Sequence, residues 1–478
     1  MKVKEAIVII GAGPAGLSCA FELTCHKKIN SPNAVVILDK NKVVGGLART
    51  YEYKGYRFDV GPHRFYTKNQ EVLHIWRKFL KRDLIEVTRL TRMFYKGKLF
   101  YYPVQLKDVV LKLGIFESFL TAVSFIKAKL FLRSLRPKTF EDWIRKHFGQ
   151  KLYQHFFKTY TEKVWGIPCS KIGSEWAAQR IKNLNFIEVI KTAIFGERTR
   201  KSKSLINKFY YPKKGAGYCY KKMADYVNKH NVRINLQSQV TKITHTRSQI
   251  TSVEYNQKGQ RLDLPVDYLF SSMPLTQFIL SLDPAPDKIV IEAAKKLSYR
   301  DHITVNLIIK RAPLFPDHWI YVHSPEVKMA RITNYNNFSK EMVKNPRYSA
   351  ISVEYFAFQE DDIWRMNDQD LISFATGEMF HLKLTEPEDL LDGFVIRETE
   401  AYPTYYLGHK PYFDILKNYA EQFTNLQLIG RGGMYRYNNM DHAIYSGLLA
   451  ARNYLVGYRK YLVWNINEDA EYLEEDKF

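Results

Sequence analysis

Cysteine is scarce in this chain of 478 residues: there are four, Cys19, Cys25, Cys169 and Cys219. Their spacing matches no metal-binding pattern, so no metal site is expected. It offers no disulfide framework either, and a reducing, cytoplasmic compartment is the simplest expectation. Acidic residues are also few, 49 against 72 lysines and arginines, giving a formal net charge of +23. That imbalance favours anionic partners, either phosphorylated small molecules or acidic membrane surfaces. No zinc knuckle, recognition-helix pattern or tandem basic repeat accompanies it, so specific nucleic-acid binding is not expected. Long uninterrupted apolar runs are missing too. The most apolar stretch, VVLKLGIFESFLTAVSFIKAKLFLRSLRPKTF, is broken by Lys112, Glu117, Lys127 and Lys129, which argues against a lipid-spanning helix. The opening MKVKEAIVIIGAG has a basic residue before an apolar run. That run is too short and enters a glycine turn, so a signal peptide is not expected. There is no internal repeat and no low-complexity linker.

What is present begins at that turn. Residues 5–10 read as a buried strand and 15–24 as a helix, with Gly11, Gly13 and Gly16 at the junction. The three glycines permit, in order, a tight turn, a close approach of backbone to a pyrophosphate, and close packing of helix on strand. The anion would rest on N–H groups at the helix N-terminus. A second strand, Ala34–Leu38, ends in Asp39, placed to accept hydrogen bonds from a ribose diol and to disfavour a 2′-phosphate.

Short hairpins are expected at 51–61 and 91–102, the latter turning at Lys96-Gly97. Residues 105–195 read as mostly helical. Within them, 110–136 is expected foremost to be a helix pair buried against the rest of the domain. Its alternative is an amphipathic face in peripheral contact with an inner membrane surface, with Lys112, Lys127, Lys129 and Arg133 meeting headgroups. A basic loop is expected at 196–217 and strands at 232–243, 250–255, 267–274, 303–310, 318–323, 329–335 and 350–356. Two of the late strands are aromatic and half-polar, as in a sheet lining a cavity. A strand–loop–helix unit ends the pattern, before an acidic solvated tail. The organisation is therefore interleaved. Residues 1–90 begin a nucleotide-binding domain, and 91–215 supply a substrate-domain hairpin and helical insertion. Residues 216–300 return to the first domain, 301–410 form the substrate-binding sheet, and 411–478 complete the first domain and add the tail. The fold class is α/β, a Rossmann-like domain with a mixed-sheet substrate domain and a helical insertion.

GAGPAGL at 11–17, Asp39 and GGLART at 45–50 together resemble the flavin-dependent amine-oxidase-like superfamily, which includes protoporphyrinogen oxidases, phytoene desaturases and UDP-galactopyranose mutases. The resemblance covers most of the chain and implies FAD. It implies that Gly11, Gly13, Pro14, Ala15 and Gly16 hold the pyrophosphate and that Asp39 holds the adenosine ribose. Gly45, Gly46, Leu47, Ala48 and Arg49 would lie near the phosphates and ribityl chain, and the backbone at Val240 near the adenine. Gly430, Arg431, Asn439, Met440 and Asp441 would reach the ribityl and isoalloxazine region. FDVGPHRFY at 58–66, WGIPCSKIGSEWAAQRI at 165–181, ARITNYNNFS at 330–339, AYPTYY at 401–406 and IGRGGMYRYNNMDHAI at 429–444 look closer to the mutases and mutase-like oxidoreductases. By that resemblance His63 lies beside the flavin, and Arg180, Arg331 and Tyr405 help bind a nucleotide diphosphate. Tyr335 and Tyr406 are further hydroxyl donors.

A mutase resemblance implies that reduced flavin attacks the anomeric carbon of a UDP-hexose and displaces UDP; the sugar then opens and recloses in its other ring form. NAD(P)H is a candidate reductant. The protein's part is to exclude water, align the sugar and hold the departing diphosphate, a task suited to the planar guanidinium fork. Oxidation or desaturation of a hydrophobic substrate, protoporphyrinogen-oxidase-like, is the rival reading, and a non-catalytic flavin-bound scaffold is the third. Each singled-out residue also has an ordinary structural role available. His63 can be satisfied by backbone carbonyls after its Gly-Pro bend, His442 can cap the terminal helix, and Asp441 can accept N–H bonds at that helix start. Arg180 and Arg331 can be packed stems with solvent-facing heads.

Overall fold

The computed structural model describes residues 6–26, 34–102, 106–174, 176 and 208–467. The expected helix beyond Trp176, residues 196–207 of the expected basic loop and the acidic tail lie outside the described residues.

The strand Ala6–Ile10 is buried along its whole length because it lies inside a parallel sheet covered on both faces, which is why it reads as a continuous apolar run. Val35–Leu38 flanks it on one side and Gln260–Ser271 on the other, both parallel to it. Val232–Asn235 and Leu426–Leu428 extend the sheet outward, also parallel. Gln260–Ser271 serves two roles. Its first half pairs antiparallel with Ile250–Gln257, and its second half joins the parallel set.

The strand expected at 232–243 is in fact two, Val232–Asn235 and Ser238–His245. Gln237 lies between them at φ +53°, and the chain there leaves the parallel sheet for an antiparallel meander. One face of the parallel sheet is covered by Pro14–Cys25, Gln70–Leu80, Gly217–Lys229 and Met440–Val456, which share one apolar cluster. The first and last of these helices cross at Gly447, where a Cβ would lie 2.1 Å from the Ala15 carbonyl oxygen. Ser18 Oγ there donates to the Ile444 carbonyl (2.9 Å). The two ends of the chain thus build one layer.

A second sheet has the order Leu390–Pro403, Tyr299–Ile309, Ser349–Ala357, Arg331–Asn334, Trp319–Val322, Thr91–Tyr95, Lys98–Tyr101. Only Trp319–Val322 and Thr91–Tyr95 pair parallel, so the sheet is mixed. Alternation decides its two faces. Ile303, Val305, Leu307, Ile351 and Val353 face an apolar cluster that includes Leu371, Ala375 and Met379 of the helix Asp368–His381. The opposite face carries His302, Thr304, Glu354, Arg331 and Thr333, with Thr304, Glu354 and Arg331 directly opposite one another across three strands.

The strand Leu390–Pro403 is the longest in the fold among the described residues, yet its sequence LLDGFVIRETEAYP shows no clean apolar alternation. Part of the segment expected as a basic loop is also a strand, Lys208–Pro212, paired with Leu84–Thr88. Both hairpins form where expected, Thr50–Tyr53 with Tyr56–Asp59 and Thr91–Tyr95 with Lys98–Tyr101.

Between Lys98–Tyr101 and Lys208–Pro212 lies the helical insertion, with helices Leu106–Leu113, Ile115–Phe131, Phe140–Tyr153 and Thr159–Trp165. Here one expectation is reversed. The pair at 110–136 is not a buried pair: Ile115, Phe116, Phe119, Ile126, Leu130 and Phe131 all point to solvent.

Candidate active site

The turn after the first strand brings backbone against backbone. Gly11 has φ +102° and donates its N–H to the Leu38 carbonyl (2.7 Å). A Cβ there would fall 2.1 Å from Ser272 Oγ, so both conformation and space demand glycine. At Gly16 a Cβ would lie 1.9 Å from the Gly11 carbonyl oxygen, the helix–strand contact that the third glycine of such a motif serves. Gly13 differs from both. A Cβ on it would meet Gly46 Cα at 3.5 Å, an ordinary contact, so protein packing alone does not require glycine there. It is the N-cap of Pro14–Cys25, a helix with no side-chain cap and no acidic residue in its first turn. The positive helix end at Pro14, Ala15 and Gly16 is therefore open to an anion. The Gly45 N–H donates to the Ala12 carbonyl (2.8 Å), which lays the Gly45–Ala48 turn, Leu47 included, over the glycine turn.

Asp39 is buried at the end of Val35–Leu38. Its Oδ2 accepts from the Ala12 N–H (2.7 Å), and its Oδ1 from the backbone N–H (2.8 Å) and Nδ2 (2.9 Å) of Asn41. The carboxylate thus braces the glycine turn first, and its remaining lone-pair positions are what a ribose diol would use. The Gln237 and Ser238 N–H groups donate to the Asn41 and Asp39 carbonyls (3.0 and 2.8 Å). Val240 follows two residues later, opposite Tyr255. Arg49 is buried and carries an internal load. Its Nη1 donates to the Gly46 carbonyl (2.6 Å), its Nε to Tyr51 Oη (2.9 Å), and its Nη2 is ion-paired with Glu398. It ties the Gly45–Ala48 turn to the second sheet and is not a free cation.

Gly430–Gly433 forms one helical turn after Leu426–Leu428. A Cβ on Gly430 would lie 3.0 Å from Ala15 Cβ, so this turn sits on the first helix. Asn439 and Met440 open the terminal helix Met440–Val456. The Asn439 N–H donates to His442 Nδ1 (3.2 Å), so His442 takes the capping role. Asp441 does not: its Oδ1 is 3.8 Å from His442 Nδ1, and its buried Oδ2 has no partner among the described residues. A glycine cradle, an uncapped helix end, a carboxylate at the second strand and an unpartnered buried carboxylate oxygen together fit a dinucleotide cofactor.

The second sheet supplies the facing wall. Glu354 is fully buried and accepts from Arg331 Nε (2.7 Å), Arg331 Nη2 and His302 Nε2 (2.9 Å). Burial acts to raise its pKa, but Arg331 and His302 outweigh this and hold it down at about 2. Arg331, read from sequence as a diphosphate-binding guanidinium or a packed stem with a solvent-facing head, is a bidentate partner of Glu354; only its Nη1 has no partner among the described residues. Gly61 packs against this group, with a Cβ position 3.2 Å from Glu354 Oε2. Two residues on, His63 Nε2 bonds to the Leu47 and Val60 carbonyls (2.8 Å each). Burial first, then the charges of Arg431 and Arg331, lower the His63 pKa to about 4, against the two carbonyl bonds, which act to raise it. His63 is thus a neutral imidazole at neutral pH, and both arginines act on the space it occupies.

Arg431 has no carboxylate partner among the described residues. Its Nε donates to the Asn438 carbonyl (3.0 Å), and its guanidinium carbon lies 4.9 Å from the ring centres of both Tyr402 and Tyr437. Tyr160 completes the group. Burial raises its pKa, and Arg331, Glu354 and Tyr437 all act on it.

The hydroxyls of the tyrosines nominated from sequence bond to backbone groups of neighbouring segments. Tyr405 Oη accepts from the Tyr437 N–H (2.7 Å), Tyr335 Oη donates to the Asp59 carbonyl (2.8 Å), and Tyr406 Oη donates to the Lys296 carbonyl (2.9 Å). Arg180 lies outside the described residues. Sequence reading missed Glu354, His302, Glu398, Tyr402, Tyr437, Tyr160 and the buried Asp59. The available signal was a lone charged or polar residue inside an apolar strand, as in SAISVEYFA and DHITVNLII.

Comparison with known proteins places the molecule. The chain is 28% identical over 171 residues to the "Probable UDP-galactopyranose mutase" of Klebsiella pneumoniae, a match covering 35% of this chain and 42% of that protein. It is 24% identical over 185 residues to the chloroplastic protoporphyrinogen oxidase 1 of Arabidopsis thaliana, covering 37% and 33%. These matches span less than half the length of either relative. The fold is shared more widely. The crystal structure of reduced UDP-galactopyranose mutase superposes with a TM-score of 0.83 over 98% of both chains, at 20% identity. The family model described as flavin containing amine oxidoreductase matches residues 14–455, almost the whole chain, and the protein belongs to that family.

Proposed function

We propose that this protein is an FAD-dependent enzyme acting on a nucleotide-diphosphate sugar, with mutase chemistry on a galactopyranose-like substrate. The observation that carries the reading is Arg431, a guanidinium with no carboxylate partner among the described residues, held against two tyrosine rings. Arg331, whose Nη1 has no partner among the described residues, acts with it on His63 and Tyr402. Guanidinium nitrogens and phenol hydroxyls suit a diphosphate, whereas burying them against an apolar substrate is costly. Similarity to a sugar mutase in sequence and in fold supports the same choice.

Family membership supports FAD as the cofactor, held by the Gly11–Gly16 turn, Asp39, the Gly45–Ala48 turn and the Gly430–Asp441 segment. When bound and reduced it supplies the nucleophile that ring isomerisation needs. The remaining work belongs to the protein. Arg431 binds and orients the diphosphate, with Tyr402 and Tyr437 fixing its plane and excluding water. Glu354 fixes the plane of Arg331, so that Nη1 alone is presented. His63, neutral and anchored to two carbonyls, keeps the sugar side of the site uncharged.

Oxidation or desaturation of an apolar substrate is the second reading, favoured by the exposed apolar helix Ile115–Phe131. One assay separates the two: FAD-reconstituted, dithionite-reduced protein incubated with a panel of UDP-hexoses, monitoring both ring forms. Reduction-dependent interconversion is the expected result. The proposal fails if nucleotide sugars neither bind nor react while a porphyrinogen or lipid bleaches the oxidised flavin. Absence of all flavin-dependent turnover would leave the non-catalytic scaffold.

A further inference from the structure

The helix Ile115–Phe131 is built inside out. Its inward stripe is Glu117, Thr121, Ser124 and Ala128, and its outward stripe is Ile115, Phe119, Ala122, Ile126 and Leu130. Both stripes keep the 3–4 residue spacing of one helical face. The inward stripe is anchored, not merely covered. Glu117 accepts from Lys151 Nζ (2.8 Å) and His155 Nε2 (3.0 Å), and Ser124 Oγ accepts from the Lys151 N–H (3.1 Å). A Cβ on Gly149 would lie 2.7 Å from the Ser124 carbonyl oxygen, so the neighbouring helix is in backbone contact and the orientation is locked. Ile115, Phe116 and Phe119 are consequently 83, 75 and 64 % exposed. A helix facing water only on its outside would carry the reverse pattern.

The exposed charges of the segment 108–138 are of one sign. Lys127, Lys129, Arg133 and Arg136 are exposed beside it. The only acidic residues in 108–138 are turned away from the stripe: Asp108 is buried and paired with Lys112, and Glu117 faces inward. No helix among the described residues is long and apolar enough to cross a membrane, so an apolar phase would be met by lying on it.

We propose that the 110–136 face is a docking surface for an anionic phospholipid membrane. Ile115, Phe116, Phe119, Ile126 and Leu130 enter the acyl boundary, and the flanking lysines and arginines meet the headgroups. Charge complementarity selects this occupant over a second copy of the chain. A two-fold contact through this stripe would bring like cations together, with no exposed carboxylate in 108–138 to pair with them, whereas an anionic leaflet neutralises them. The proposal is independent of which reaction the flavin performs.

The test is vesicle flotation of the full-length, FAD-loaded protein, with phosphatidylcholine vesicles containing or lacking phosphatidylglycerol. The expected result is binding to the anionic vesicles alone. The variant Phe119→Glu/Ile126→Glu should lose affinity by about tenfold or more, with flavin content and circular dichroism reporting that it folds. A control, Lys288→Glu/Lys295→Glu, removes more net charge from exposed positions on another helix and should lose much less. A Phe119→Trp variant, which leaves the stripe apolar, should gain fluorescence that is quenched by brominated acyl chains. Binding by the double glutamate variant equal to wild type, equal loss in the lysine control, or no acyl-chain quenching would each overturn the proposal. So would wild-type dimers, seen without lipid by sedimentation velocity, that the double glutamate variant converts to monomers.

Discussion

Glu354 grips Arg331 through both carboxylate oxygens inside the second sheet, directly across the register that pairs their two strands. Neither residue is exceptional alone. Together they set a largely buried charge pair that acts on His63, while Arg431 has no carboxylate partner among the described residues. Removing one partner strands the other, so Glu354→Gln should destabilise the fold by about 3–5 kcal/mol. The double variant Glu354→Gln/Arg331→Met should recover a large part of that loss. Denaturant melts of the two single variants and the double form the cycle; additive losses would refute the coupling.

The same pair sets an acid limit. Because Glu354 titrates below its unfolded value, its stabilisation is fully present above about pH 4.3 and is lost progressively as pH falls from there through about 2. Its share of acid unfolding should therefore fall between about pH 4.3 and 2, and Glu354→Gln should flatten the stability curve over that window relative to wild type.

Asp59 behaves in the opposite sense. It accepts from Tyr211 Oη (2.6 Å) and the Ala216 N–H (3.1 Å), yet burial raises its pKa to about 7. A proton held more tightly in the fold stabilises below about pH 3.9, and that stabilisation is lost as pH rises through about 7. Between these limits the slope is at most about 1.4 kcal/mol per pH unit. Asp59→Asn should flatten stability over this window relative to wild type, whatever it does to the absolute value; parallel curves would refute the assignment.

Gly13 and Gly16 should fail differently. The Gly16→Ala methyl would collide with the Gly11 carbonyl oxygen, so the variant should lower the melting temperature of the apoprotein. Gly13→Ala meets only an ordinary contact. It should leave the apoprotein melt nearly unchanged and lower flavin stoichiometry, because the added methyl occupies space needed by a pyrophosphate. Equal effects on both readouts would count against a cofactor at this turn.

Arg431→Lys keeps the charge but loses the planar fork stacked on Tyr402 and Tyr437. If a nucleotide diphosphate binds here, its affinity should fall by about 2 kcal/mol, on the order of thirtyfold, while flavin content is retained. Arg331→Lys should cost stability more than ligand affinity, since Glu354 already occupies two of the three guanidinium nitrogens. Calorimetric titration with UDP and a thermal melt separate the two, and unchanged UDP affinity in Arg431→Lys would reject the site.

Much was legible in the sequence where local geometry and local chemistry coincide. The Gly11–Gly16 turn could be read because strand, tight turn and helix are adjacent in the chain. The 91–102 hairpin was legible for the same reason, Lys96-Gly97 marking its turn. The strand expected at 303–310 was legible as a short apolar, β-branched run, and it forms within Tyr299–Ile309. What the local pattern did not carry was partnership at long range. Arg49 and Glu398 are 349 residues apart, and a buried guanidinium looks no different in sequence from a free one. Tyr402 and Tyr405 share the motif AYPTYY, but which of them faces Arg431 depends on where the strand Leu390–Pro403 ends. The helix at 115–131 shows the limit most plainly. Its sequence determined two stripes, one apolar and one polar, because a helix repeats every 3.6 residues. Which stripe faces outward was decided only by the tertiary structure, through Lys151, His155 and the backbone at Gly149, which give the polar stripe partners and leave the apolar stripe outside.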